Sequence, residues 1–133
     1  MSDPTPAATI LVVDGDILVR HVIADYLRSC GYTVLEAASG EEARALLATE
    51  AARIDVVLAD AGAQGAFEGF ALAHWLRQAH PRIKIVLAGA PVMAAAQASA
   101  LCDDGPQVGK PYQPQQVVDR IRWLMARRDR HRP

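Results

Sequence analysis

Short runs of β-branched and aliphatic residues alternate along the chain with stretches in which apolar residues recur every three or four positions. A strand covered on both faces is apolar throughout, so the runs predict buried strands over 8–13, 33–36, 55–59, 83–88 and 106–109. Between the first two, Val19, Val22, Ile23, Tyr26 and Leu27 keep helical spacing until Gly31, a residue suited to the left-handed end of a helix. Ser39 with Glu42 makes a capping box that opens a second helix to about Thr49. Helices are also predicted over 69–79, ended by Pro81, over the alanine-rich 92–101, and from Pro114 through Val117, Val118, Ile121, Leu124 and Met125. The segment AGAQGAFEG at 61–69 carries Gly62, Gly65 and Gly69 and reads as a mobile loop.

Five strand-then-helix units imply a parallel sheet, since parallel neighbours need crossover connections and these are right-handed. The expected class is α/β: a flavodoxin-like, doubly wound five-stranded sheet of order 2-1-3-4-5. Sites in such sheets lie outside the carboxyl ends of the strands, near the switch in strand order. Two strands, ILVVD at 10–14 and DVVLAD at 55–60, stop on an aspartate, and VGKP at 108–111 follows far downstream. Asp14, Asp60 and Lys110 should therefore meet at one rim.

Length and composition narrow the chemistry. With 133 residues, 51% of them hydrophobic, the chain suits one core, expected over 8–128 with flexible ends at 1–7 and 129–133. A formal charge of −1 argues against a nucleic-acid binder. Six of the fourteen basic residues lie between Arg120 and Arg132, where they form either a solvated end or a docking segment for an acidic partner. Cys30 and Cys102 lack metal-ligand spacing and read as reduced thiols. The start has no basic leader and no apolar run is long enough to span a bilayer, so a cytoplasmic location is expected. GPQVGKP at 105–111 is one residue short of a phosphate-binding loop and has Pro111 where a hydroxyl residue belongs. GxGxxG, GxSxG and HExxH motifs do not occur, and His21, His74 and His80 share no ligand spacing, which marks them as surface or packing residues.

The three motifs, in this order and with the charged positions 46 and 50 residues apart, resemble the receiver domain of bacterial two-component response regulators. The resemblance covers about residues 8–127. It implies a signalling module rather than an enzyme, with Asp60 taking a phosphoryl group from a phosphohistidine and Lys110 binding its oxygens. It implies Mg2+ held by Asp14, Asp60 and the backbone after Asp60. Asp16 either joins them or caps the first helix. The implied partners are a sensor histidine kinase or phosphotransfer protein and a downstream protein target. Because the last helix is followed by few residues, output is expected through protein contacts. Trp123, among Arg120, Arg122 and Arg127, is either a dimer or partner contact or packs onto its own helix.

Four positions depart from the family pattern. Gly15 replaces the second of two adjacent acids, which should weaken Mg2+ by more than the roughly 10- to 100-fold loss that follows removal of an outer-shell partner. Ala88 replaces a hydroxyl residue whose bond to the phosphoryl group would contribute about 1.5–3 kcal/mol. Gln107 replaces the coupled aromatic, and Gln64 a proline. Two functions follow: a switch or relay phosphorylated at Asp60, or a degenerate receiver that binds partners without phosphorylation.

Overall fold

Strand β1 (Thr9–Val13) shows how the sequence builds two cores at once. Ile10 and Val12 point into one hydrophobic cluster, Leu11 and Val13 into another, and Ile10, Leu11 and Val12 are wholly buried. Alternate side chains of a strand face opposite ways, so an unbroken aliphatic run means cover on both sides. The computed structural model describes residues 8–61, 69–89 and 108–130. The expected helix over 92–101, the positions Gly62, Gln64, Gly65, Cys102 and Gln107, and the ends 1–7 and 131–133 lie outside them.

The other strands are β2 (Thr33–Ala37), β3 (Val56–Asp60), β4 (Lys84–Gly89) and β5 (Val108–Gly109). All pairings are parallel, in the order β2-β1-β3-β4-β5 that the alternation predicts. Helices α1 (Ile17–Ser29) and α4 (Pro114–Arg130) cover one face, through Ile23, Ala24, Leu27, Val117, Val118 and Ile121. Helices α2 (Gly40–Glu50) and α3 (Gly69–Ala79) cover the other, through Ala43, Leu47, Leu72, Ala73 and Leu76.

The punctuation acts as its chemistry requires. Helix α1 ends at Ser29, and Gly31 takes φ 99°, where a side chain would be strained. Ser39 Oγ accepts the Glu42 N–H at 3.1 Å, while Glu42 Oε1 accepts the N–H of Ala38 at 2.7 Å, one residue earlier than in the usual box. One helical position differs from expectation. Val22 follows the apolar spacing of α1 yet is 65% exposed, alongside Ile17 at 65% and Leu18 at 75%.

Candidate functional site

The three charged residues meet. Lys110 Nζ lies 2.6 Å from Asp14 Oδ2 and 3.4 Å from Asp60 Oδ2. Asp14 and Asp60 come from adjacent strands, whereas Lys110 follows β5 at the sheet edge, beyond β4. Strands lie about 4.8 Å apart, so Lys110 needs its long stem to reach back across the ends of β4 and β3. Arginine's planar fork would match one carboxylate; a compact ammonium can serve two.

The acids differ in exposure. Asp14 is 2% exposed and is the buried charged residue among those described, whereas the side chain of Asp60 is 20% exposed at the rim. A buried carboxylate persists only with partners, and Asp14 has several. Its Oδ1 accepts the Asp16 N–H at 2.9 Å, and its Oδ2 faces Lys110. Its own N–H donates to the Ala37 carbonyl at 3.1 Å, extending the β1–β2 ladder, and its carbonyl accepts from Arg20 Nη1 at 2.9 Å. Arg20 is anchored in turn by Glu36, Nε to Oε1 at 3.0 Å. Sequence reasoning missed Arg20 and Glu36, since ion pairs between a helix and the next strand leave no spacing signature.

Asp16 is the N-cap of α1. Its Oδ1 accepts the N–H groups of Leu18 at 3.0 Å and Val19 at 3.2 Å, which satisfies free donors at the start of α1. Gly15 is exposed, and among the described residues a Cβ there would meet only the Ala38 carbonyl, at 3.5 Å. A Cβ at that position therefore meets ordinary van der Waals contact among the described residues.

Ala88 pairs with Asp60 in register, is fully buried, and accepts the Ala61 N–H at 2.8 Å through its carbonyl. It brings no hydroxyl to the rim. Gly69, grouped by sequence with the mobile glycines, is buried as the first residue of α3. A Cβ there would collide with the Asp60 carbonyl and lie 2.8 Å from Ala61 Cα. This glycine serves close packing behind Asp60 rather than loop freedom.

Tyr112 completes the surroundings. Lys110 Nζ sits 5.1 Å from the centroid of its ring. The Tyr112 hydroxyl is buried with no hydrogen-bond partner among the described residues. Burial foremost, then the charges of Asp14 and Asp60, hold it protonated well above the ordinary phenol range. The ring also lines a groove of about 290 Å³ with Leu18, Val19, Val22, Ile23, Pro111 and Pro114.

Trp123 is 43% exposed and stacks between its own helix neighbours Arg120 and Arg127, whose guanidinium carbons lie 4.4 and 4.6 Å from the ring centroid. His21 pairs with Asp25 at 3.2 Å, and His80 packs edge-on against Trp75. Cys30 is a free, exposed thiol. Among the described residues no helix is long and apolar enough to cross a membrane.

The described donor set fits Mg2+ sparingly. That ion takes one or two carboxylates and keeps water in its other positions, and Asp14 and Asp60 converge closely enough to share one cation. No cluster of three or more acidic, histidine or cysteine ligands occurs among the described residues, because Gly15 has no carboxylate and Asp16 is turned to α1.

A family model described as the response regulator receiver domain matches residues 10–122. The transcriptional regulatory protein GltR of Pseudomonas aeruginosa is 31% identical over 128 residues, 90% of this chain and 49% of that protein. Sensor kinase CckA of Brucella abortus is 36% identical over 85 residues, 64% of this chain and 9% of the kinase. The chain thus spans half or less of the length of these two relatives. A response regulator receiver domain protein from Clostridium thermocellum superposes with a TM-score of 0.80 at 22% identity, covering 92% of this chain and 97% of that one, which is a likeness of fold.

Proposed function

The chain belongs to the response regulator receiver domain family of two-component signalling, and from that premise we propose that Asp60 accepts a phosphoryl group from a phosphohistidine on a partner protein. The observation that carries this reading is the convergence of Lys110 on Asp14 and Asp60 at the carboxyl end of the sheet. An oxygen of Asp60 would form the new bond to phosphorus as the bond to the imidazole nitrogen breaks and its electron pair returns to the ring. Such transfer asks little of a protein beyond alignment and positive charge on the phosphoryl oxygens.

Each residue has a place in that chemistry. The part-exposed Asp60 is open to a donor, and Lys110 supplies a fixed cation. Asp14, anchored by the Asp16 N–H and through its carbonyl by Arg20, keeps the ammonium over the rim. Asp14 and Asp60 are the side chains that would hold Mg2+, which when bound adds charge neutralisation to that of Lys110. The exposed Ile17, Leu18 and Val22 begin directly after the acidic turn and give a donor protein an apolar seat beside the pocket. A sensor histidine kinase or a phosphotransfer protein suits that role.

A second reading, an interaction module that works without phosphorylation, draws on Gly15 and on the hydroxyl missing at Ala88. One experiment separates the two. Incubation with acetyl phosphate and Mg2+ should add one phosphoryl mass to the intact protein and none to Asp60→Asn. Retention of a kinase without any adduct would favour the second reading.

A further inference from the structure

We infer that Tyr112 is a positioning residue for Lys110: its ring fixes the height and direction of the ammonium at the rim, an inference that rests on the phosphoryl-accepting reading above. A lysine stem has four rotatable bonds, and two carboxylates alone leave its ammonium free to swing toward either. In this chain a third contact limits that freedom, the face of Tyr112 at 5.1 Å from Nζ. The attraction of a cation to an electron-rich ring persists whichever carboxylate the ammonium favours.

The ring is itself well held. Pro111 and Pro114 bracket the short segment that bears it, and each fixes its own φ. On its inner side Tyr112 packs against the cluster that includes Ala88, Val108 and Val117; toward solvent it lines the groove beside α1. Burial and the neighbouring acids keep the phenol neutral, so the ring never competes as a charge. Because Ala88 contributes no hydroxyl, more of the task of directing an anion at Asp60 falls on the ammonium.

The inference separates ring from hydroxyl. Tyr112→Leu removes the aromatic face while keeping a smaller apolar side chain, and Tyr112→Phe keeps the face. Beryllium fluoride with Mg2+ serves as the phosphoryl probe. Its affinity should fall roughly 2- to 30-fold in Tyr112→Leu, the range of a cation–ring contact, and stay within about 2-fold of wild type in Tyr112→Phe. In the ligand-free wild-type protein, the Lys110 ε-methylene protons should be shifted upfield by the ring current, and Tyr112→Phe should retain that shift. A packing role alone would lower the melting temperature of Tyr112→Leu without changing probe affinity, and that result overturns the inference. So does an unshifted Lys110 signal in the wild type, a readout that needs no variant to fold. If the wild type binds no probe while the Lys110 shift is present and depends on the ring, the positioning stands and the phosphoryl-accepting reading fails.

Discussion

Gly69→Ala should damage the pocket from behind. An ideal Cβ at Gly69 falls against the carbonyl of Asp60, 3.0 Å from its carbonyl carbon and 2.8 Å from Ala61 Cα. Unbonded carbons sit comfortably at about 3.5–4.0 Å, so relief requires a shift of roughly 0.7–1 Å. The neighbours are backbone, and no side chain can turn aside. Overpacking of this kind costs about 1–3 kcal/mol, and the upper half of that range applies here. Better helix propensity returns at most about 1 kcal/mol, leaving a net loss of about 1–2 kcal/mol. For a chain of this size that lowers the melting temperature by roughly 3–10 °C. Urea titration should move the midpoint down with an unchanged slope. The displacement falls on Asp60 itself, and a shift near 1 Å in a reacting group costs about 100-fold in rate, so acetyl phosphate should modify the variant about 10- to 100-fold more slowly. A variant that melts with the wild type and is modified equally fast would refute the packing argument.

Gly15→Asp should restore a carboxylate where, among the described residues, only the Ala38 carbonyl stands near the new Cβ, at 3.5 Å; calorimetric titration should show Mg2+ binding at least about 10-fold tighter, and unchanged affinity in a folded variant would count against Asp14 and Asp60 as the metal ligands. Lys110→Met strands the buried Asp14 carboxylate, and because Lys110 is 20% exposed the expected loss is a discounted 1–3 kcal/mol or so by urea unfolding. Combined with Asp14→Asn, it should cost less than the sum of the two single changes, and strict additivity would show that the pair is not coupled.

Much of this fold could be read along the chain because its strands are covered on both faces. Continuous apolar runs such as those of β1 and β3 are unambiguous when five of them alternate with helical spacing, and strand order followed from the need to put the two aspartate-ending strands together. The meeting of Asp14, Asp60 and Lys110 was legible for the same reason, since each ends or follows a strand. Periodicity could not show which apolar side chains the sheet leaves uncovered. Val22 has the spacing of a core residue, but α1 turns it outward with Leu18. Nor could composition separate the two uses of glycine, conformational freedom at Gly31 and close approach at Gly69. Tyr112 was invisible as a site residue because its part depends on a ring lying under an ammonium two residues earlier, a matter of side-chain direction. The sequence leaves Asp16 open between ligand and cap, and its bonds to Leu18 and Val19 show the cap.

The central claim is that Asp60 is where a phosphoryl group arrives. After exposure to acetyl phosphate and Mg2+, borohydride reduction converts an aspartyl phosphate to homoserine, and peptide mass mapping then locates it. Conversion at position 60, absent from Asp60→Asn and slowed in Lys110→Met, is the predicted result. A protein that takes no label, or takes it at another residue, contradicts the account.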